Sequence, residues 1–517
     1  MKTMTTMTAG ASPQSRSGGI RARGLFIDGG EVAAGGGELI DVLNPSTGEV
    51  IARIAHADAA DVDRAVASAR RAFESKEWGG LSVRVRARLL NRLADAFEGH
   101  LEEMFHLETM NNGRPVNETR AQISRLPDFF RYNAGLALSR RDAVIPVEGN
   151  YLNYTISTPL GVVGNSTPFN HPLMIMCKSL APVLASGCTT VVKPSEYTPL
   201  TTLRLAEIFI EAGLPPGVFN VVTGLGPTTG KALAEHPGIN KFVLTGGTEA
   251  GRIVGALAGR NFVHQTLELG GKTPVLVFDD FDVDQAVNYA AFGAFIGAGQ
   301  TCICASRHIV QQGIYDEFVE KLAAKAATMR IGDPADPSVQ LGPVISAKQQ
   351  QRVLHYAQLG REQGARLVYG GRIPADPALA GGFFVEPTIF SDVTPEMRIY
   401  QEEVFGPFTS ITPFRDEEEG LRLANHSPFG LAGAVRTKDI SRAHRVAARL
   451  RCGIVWINDH HRLDPASPWG GVKLSGIGRE GGTESFDAHF DTKSVMVRLD
   501  DQPFDWYKNT AAQPRLN

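Results

Sequence analysis

The chain has 517 residues, 43% of them apolar and 21% charged, with a formal net charge of -3. That length calls for two or three domains, and the composition is that of an ordinary globular protein. Lysine and arginine are scattered rather than striped, so there is no electrostatic reason to expect nucleic acid or an anionic membrane as partner.

Residues 1–24 are rich in Thr, Ser, Gly and Arg and read as a disordered tail, without the apolar run of a secretory signal. No stretch approaches the roughly 20 apolar residues needed to span a bilayer. Five cysteines (Cys177, Cys188, Cys302, Cys304, Cys452) form neither a disulfide framework nor a zinc-type spacing, and His460-His461 lack companions. The expectation is a cytoplasmic protein without a metal.

Residues 25–55 read as short strands broken by glycines, and about 57–136 carry helical spacing (Val62, Ala65, Val66, Ala69; Leu89, Leu90, Leu93, Phe97). Residues 143–164 turn to alternating, β-branched character. Strands and helices then alternate: strands at Thr189–Val192, Phe219–Val222 and Lys241–Leu244, helices at about Pro172–Ala185, Thr201–Ala212 and after Gly247. This order implies a parallel sheet covered on both faces. A second α/β series runs from Pro274 to about Ser475, and Asp491–Arg498 reads as a late strand.

Three successive strands end in turns suited to a dinucleotide. Val192-Lys193-Pro194-Ser195-Glu196 offers a cation and a carboxylate for ribose hydroxyls. Gly224-Leu225-Gly226-Pro227-Thr228-Thr229-Gly230 is glycine-rich but misses the usual fingerprint by one place. Thr245-Gly246-Gly247 precedes a helix whose free amides and dipole favour a pyrophosphate. Further on, Cys302 follows a glycine-rich apolar run, and Glu268 stands 34 residues before it in an apolar stretch. A thiol nucleophile with a separate carboxylate base suits covalent chemistry at a carbonyl carbon.

These signatures, with Thr167-Pro168-Phe169-Asn170-His171-Pro172, Leu267-Glu268-Leu269-Gly270-Gly271-Lys272, Gly299-Gln300-Thr301-Cys302, Glu402-Glu403-Val404-Phe405-Gly406-Pro407 and Pro468-Trp469-Gly470-Gly471, stand in the order and spacing of the NAD(P)-dependent aldehyde dehydrogenase superfamily, which the chain resembles over about residues 25–500. The resemblance implies an α/β fold: a Rossmann-like cofactor-binding domain (25–142 and 165–269), an α/β catalytic domain (270–486), a small bridging β oligomerisation element (143–164 and 487–500) and a C-terminal tail (501–517).

It further implies Cys302 as nucleophile, Asn170 as oxyanion donor, Glu268 as hydrolytic base, and Lys178 and Glu480 as a relay behind it. Thr167, Pro168, Phe169, Lys193, Ser195, Glu196, Gly226, Pro227, Gly230, Gly246, Gly247, Leu269, Gly270, Glu403 and Phe405 would hold the cofactor. Gly247 stands where many members carry Ser, which removes one phosphate contact. Glu196 would repel a 2′-phosphate, so NAD is expected over NADP.

By the same resemblance, the substrate tunnel would be lined by His171, Cys177, Thr301, Ile303, His460, His461, Arg462, Leu463 and Trp469. His460, His461 and Arg462 would make its mouth polar and cationic. Trp469 alone could meet a trimethylammonium group, so betaine aldehyde is disfavoured. A small-molecule aldehyde is the expected partner, oxidised to its acid in a homodimer or homotetramer. The presence of Glu268 disfavours acyl transfer to coenzyme A, and the intact Cys302, Glu268 and Asn170 argue against a non-catalytic binding protein.

Overall fold

A computed structural model describes residues 21–501 and Tyr507; the expected tails lie almost wholly outside the described residues. The N-terminal tail ends sooner than expected, because Ala22–Arg23 already pairs in parallel with Val50–Ala55. Helices follow where the apolar spacing placed them: Ala59–Glu74, Val83–Glu98, Leu101–Asn112, Val116–Ile123 and Pro127–Ser139. The first begins at Asp58, whose carboxylate accepts the Asp61 N–H while Asp61 reciprocates, a capping box. In Val83–Glu98, Leu89, Leu90, Leu93 and Phe97 form the stripe that enters the core against Phe130, Leu180 and Phe209.

The first large sheet has eight strands. Its centre is parallel: His264–Glu268, Lys241–Thr245, Val162–Ser166, Thr189–Lys193 and Phe219–Val221, in that order. Leu25–Ile27 and Gly30–Val32 extend one edge and Gly476–Ile477 the other, all antiparallel. Two expected boundaries therefore move. Val162–Ser166 belongs to this sheet and not to the bridging element, since all-apolar Val162 and Val163 are buried on both faces. Residues 476–487 return from the second domain to the first, where Gly476 pairs with Glu268 and Phe486 enters the first core.

The second sheet has seven strands, parallel except for the edge strand Arg366–Tyr369. Pro274–Val277 and Arg307–Gln311 lie at its middle, and its core gathers Phe318, Ile389, Tyr400 and Phe408. A third sheet of three strands pairs Phe490–Arg498 with Tyr151–Pro159, which pairs in turn with Val144–Ile145. The turns after Thr189–Lys193, Phe219–Val221 and Lys241–Thr245, expected to receive a dinucleotide, follow the C-terminal ends of these strands. Among the described residues no helix is long and apolar enough to cross a membrane.

Candidate active site

Glu268 ends the strand His264–Glu268 at the rim of the first sheet, and Cys302 follows a kinked turn at the head of the second domain. The segment between them backs onto Cys302: a Cβ on Gly271 would overlap the Cys302 carbonyl oxygen, so only glycine permits this approach. The Gly271 N–H donates to Glu403 Oε1 at 2.9 Å, which locks the chain after Glu268 to the second domain.

The Glu268 carboxylate is 3% exposed, and its Oε1 has no hydrogen-bond partner. Gly470 makes room for it, for at φ +155° a Cβ there would lie 2.7 Å from that oxygen. Burial lifts the Glu268 carboxyl well above its usual range; Lys178 and Arg479 oppose the shift, and the nearby Glu480 charge adds to it. Lys178 Nζ meets Glu480 Oε2 at 2.6 Å with both side chains buried, and Ser179 Oγ donates to Glu480 Oε1 at 2.6 Å. Burial alone would lower the Lys178 ammonium, but Glu480, Glu268 and Cys302 hold it above its usual value.

Cys302 is partly buried, with its thiol pushed up to about 12 by burial; Lys178 draws it back, while Glu268 and Glu403 push it further. At neutral pH it is a thiol, so it needs a base to become a nucleophile. The fold thus gathers Cys302, Glu268, Lys178 and Glu480 into one charge-coupled group. Asn170 lies in the turn before helix Pro172–Ser186, which carries Lys178. Its Oδ1 is buried and unpartnered, and Asn112 Nδ2 holds the turn by donating to the carbonyls of Phe169 (2.5 Å) and Asn170 (3.2 Å).

Most of the residues named for a dinucleotide follow the C-terminal ends of the first sheet's strands, while Glu403 and Phe405 belong to the second domain. Lys193 Nζ pairs with Glu196 Oε2 at 3.2 Å, and Ser195 Oγ accepts from the Tyr197 N–H. Gly226-Pro227-Thr228-Thr229-Gly230 forms a single wide helical turn with Gly230 beside the Lys193 stem. Gly247 caps helix Thr248–Arg260 without a side-chain bond, and nothing lies within 4 Å of where its Cβ would be. The first-turn amides there face open space, and buried Thr167 Oγ1 and Thr245 Oγ1 lack partners nearby. This donor set fits a phosphate-bearing cofactor. Gly246 donates to the Glu268 carbonyl at 2.9 Å and Leu269 to that of Ser475 at 3.0 Å. Phe405 meets Phe169 edge-on at 5.7 Å beside Pro168.

A cavity of about 840 Å³ opens between the domains, lined among others by Arg114, Gln122, Met174, Phe292, His461, Arg462 and Leu463. Several expectations change here. Burial holds His171, His460 and His461 (the last near 3) below their usual value, so their rings are neutral, and the charged groups of the cavity wall are arginines (Arg114, Arg125, Arg462) and carboxylates (Glu118, Asp128, Asp459, Asp464). His460 lines the cavity as expected and also braces the fold, its Nε2 lying 3.0 Å from the Ile303 carbonyl. Trp469 is already engaged, with Lys178 Nζ over its ring at 5.2 Å and Glu480 paired to its backbone. Cys177 is fully buried in the first core and is not part of the cavity wall, which Met174 of the same helix lines instead. Thr301 is buried against Glu403 and Phe405, away from the mouth.

Sequence reasoning missed Gly470 as the residue shaping the Glu268 site, Asn112 as the brace of the Asn170 turn, and Arg114, Gln122 and Phe292 in the cavity wall. Gly470 stood inside a quoted signature; Asn112 and Gln122 lay in helices where an amide reads as a solvated face, Arg114 in the link between two helices, and Phe292 in a helix where an aromatic reads as core.

The aldehyde dehydrogenase family model matches residues 32–495. "Aldehyde dehydrogenase family 2 member B4, mitochondrial" of Arabidopsis thaliana is 43% identical over 477 residues, covering 92% of this chain and 88% of that protein. PnpE from Pseudomonas sp. WBC-3 is 44% identical with a TM-score of 0.92, over 94% of this chain and 100% of the other. A betaine aldehyde dehydrogenase (betB) of Staphylococcus aureus, solved in complex with NAD+, is 38% identical with a TM-score of 0.92, over 94% and 96%.

Proposed function

Since the chain belongs to the aldehyde dehydrogenase family, we propose that its site carries out NAD-dependent oxidation of an aldehyde to the carboxylic acid, with Cys302 as nucleophile and Glu268 as base. The observation that carries this reading is the buried, unpartnered Glu268 oxygen coupled in charge to Lys178 and Cys302. A structural carboxylate would be hydrogen-bonded; one left bare and desolvated is poised to take a proton.

The Cys302 thiol gives its proton to water, favoured by the Lys178 charge that draws its titration down, and the thiolate attacks the aldehyde carbon. Asn170 and the Cys302 N–H stabilise the oxyanion of the thiohemiacetal, a donor being worth about 3 kcal/mol of barrier. Bound in the cradle below, NAD would supply the hydride acceptor needed for the adduct on Cys302 to become a thioester. Glu268 then activates water to cleave the thioester, and its proton leaves through Lys178 and Glu480. The cradle for NAD is Lys193, Ser195, Glu196, Gly226, Gly230, Gly246 and Gly247, with Glu403 and Phe405 closing from the second domain. Glu196 makes NAD the preferred form over NADP.

The neutral imidazoles and the engaged Trp469 ring favour an uncharged or hydroxylated aldehyde over one bearing a trimethylammonium group. The exposed edge strand Phe490–Arg498, with Met496, Val497, Leu152 and Val144 open on its sheet, supports pairing with a second copy in a homodimer or homotetramer. Five free thiols suit a reducing cytoplasm. The test is reduced-cofactor formation from NAD and an aldehyde panel, with and without coenzyme A. Turnover to the free acid without coenzyme A supports the reading, and strict dependence on coenzyme A refutes it.

A further inference from the structure

We propose that the buried cluster Glu108–Arg114–Glu118 is a positioning strut that fixes the Cys302 loop relative to the Asn170 turn. This rests on the reading of Cys302 and Asn170 as nucleophile and oxyanion donor. The loop needs such a support. Gly297 (φ 60°), Ala298 (φ 53°) and Gly299 (φ 67°) are three successive left-handed residues just before Gln300-Thr301-Cys302. A left-handed alanine is strained, and no sheet ladder holds this stretch. Within the loop the Gln300 N–H donates to the Gly297 carbonyl at 3.1 Å, and Glu118 ties the loop to the first domain, its Oε2 accepting the Gly297 N–H at 3.0 Å.

The opposite end of the cluster holds Asn170. The Leu173 N–H, an orphan donor in the first turn of helix Pro172–Ser186, donates to Glu108 Oε2 at 3.2 Å. Gln122 Oε1 lies 3.3 Å from His171 Nδ1. Arg114 joins the two ends: its Nη1 donates to Glu108 Oε1 (3.3 Å) and Gln122 Oε1 (2.8 Å), and its Nε lies 3.5 Å from Glu118 Oε2. Each carboxylate thus divides its oxygens or lone pairs between the guanidinium and one backbone N–H of an active-site loop.

The side chains of Arg114 and Glu108 are 3% and 0% exposed, and that of Glu118 is 15% exposed. A buried triad of this kind is weak support for stability when compared with apolar residues of the same volume. Its effect is to relate two loops that come from different domains. Neither carboxylate is among the charges that act on Cys302, which are Lys178, Glu268 and Glu403. The strut therefore works through backbone position.

The experiment compares Glu118→Ala with Glu118→Gln, whose amide oxygen still accepts the Gly297 N–H. Three quantities are measured: kcat and KM for three aldehydes of different length, the rate at which iodoacetamide alkylates Cys302, and NAD affinity by fluorescence quenching. The expected result for Glu118→Ala is a kcat lowered about 10- to 100-fold for every aldehyde, the scale of a 1 Å misplacement. Alkylation slows alongside, KM and NAD affinity hold within about twofold, and Glu118→Gln restores most of the rate. Gln122→Ala, which spares the charges, serves if Glu118→Ala does not fold, with a smaller loss of kcat expected.

Unchanged kcat and alkylation in Glu118→Ala would overturn the proposal. So would an equal loss in Glu118→Gln, or a KM change that varies with the aldehyde and leaves kcat intact. A wild-type protein that oxidises no aldehyde fails the functional reading itself, whereas an active wild type with an indifferent Glu118→Ala fails only the strut.

Discussion

Gly470→Ala moves the base without altering its chemistry. The added Cβ would lie 2.7 Å from Glu268 Oε1, 2.8 Å from the Gly478 carbonyl and 2.9 Å from Arg479 Cδ, about 0.7 Å inside ordinary contact with the carboxylate. The backbone there has φ +155°, where a side chain is strained, so the main chain has no easy retreat. The Gly478 carbonyl already accepts from Arg479 Nη1 at 2.7 Å, which leaves the unpartnered Glu268 carboxylate as the group that yields. A displacement approaching 1 Å at a general base costs up to about 100-fold in rate, and overpacking costs the fold about 1–3 kcal/mol. Stopped-flow mixing with NAD and aldehyde should give a burst of reduced cofactor followed by steady turnover slowed about 10- to 100-fold. Free-enzyme NAD affinity should stay unchanged. Wild-type steady turnover in a folded Gly470→Ala protein would refute the placement of Glu268 as the hydrolytic base.

Other substitutions test the remaining parts. Glu268→Gln should slow thioester hydrolysis about 10²- to 10⁴-fold. It should also change the pH dependence of stability. Burial raises the folded Glu268 carboxyl above its unfolded value, so stability is full below the ordinary carboxylate range and falls as pH rises toward the folded value. The variant should melt with wild type near about pH 4 and above it near about pH 8, and identical curves would contradict this. Lys178→Met leaves Glu480 buried without its cation and should cost about 3–5 kcal/mol in denaturant unfolding. Glu196→Gln should raise kcat/KM with NADP relative to NAD by removing the charge that faces a 2′-phosphate, and an unchanged ratio would relieve Glu196 of that role.

Much of the fold was legible because the sequence repeats its message at several levels. Leu89, Leu90, Leu93 and Phe97 marked a helix stripe that is buried in full, and Thr189–Lys193 was readable as a strand from its β-branched run. Other elements carried weak local signals. Ala432–Arg436 is a central strand of the second sheet, yet Ala-Gly-Ala has no β preference and only its burial between neighbours explains it. Gly476–Ile477 is two residues long, and its return to the first sheet depends on long-range pairing with Leu267 and Glu268.

The nucleophile, base and cofactor turns were legible because each is a short segment of unusual composition. Protonation and engagement were not. His460 and His461 look cationic in sequence but are buried and neutral, and Trp469 looks free until Lys178 is seen above its ring. Glu108 and Glu118 sit on helices in a charged pattern that reads as solvated, and Arg114 lies in the short link between those helices, yet the side chains of Glu108 and Arg114 are buried.

The covalent intermediate offers the most direct test. Glu268→Gln protein mixed with NAD and an aldehyde, quenched in acid within the burst and digested, should yield the Cys302 peptide heavier by one acyl group, with Cys304 on the same peptide unmodified on fragmentation. An acyl group on any other residue, or none when reduced cofactor has formed in stoichiometric amount, would contradict the account.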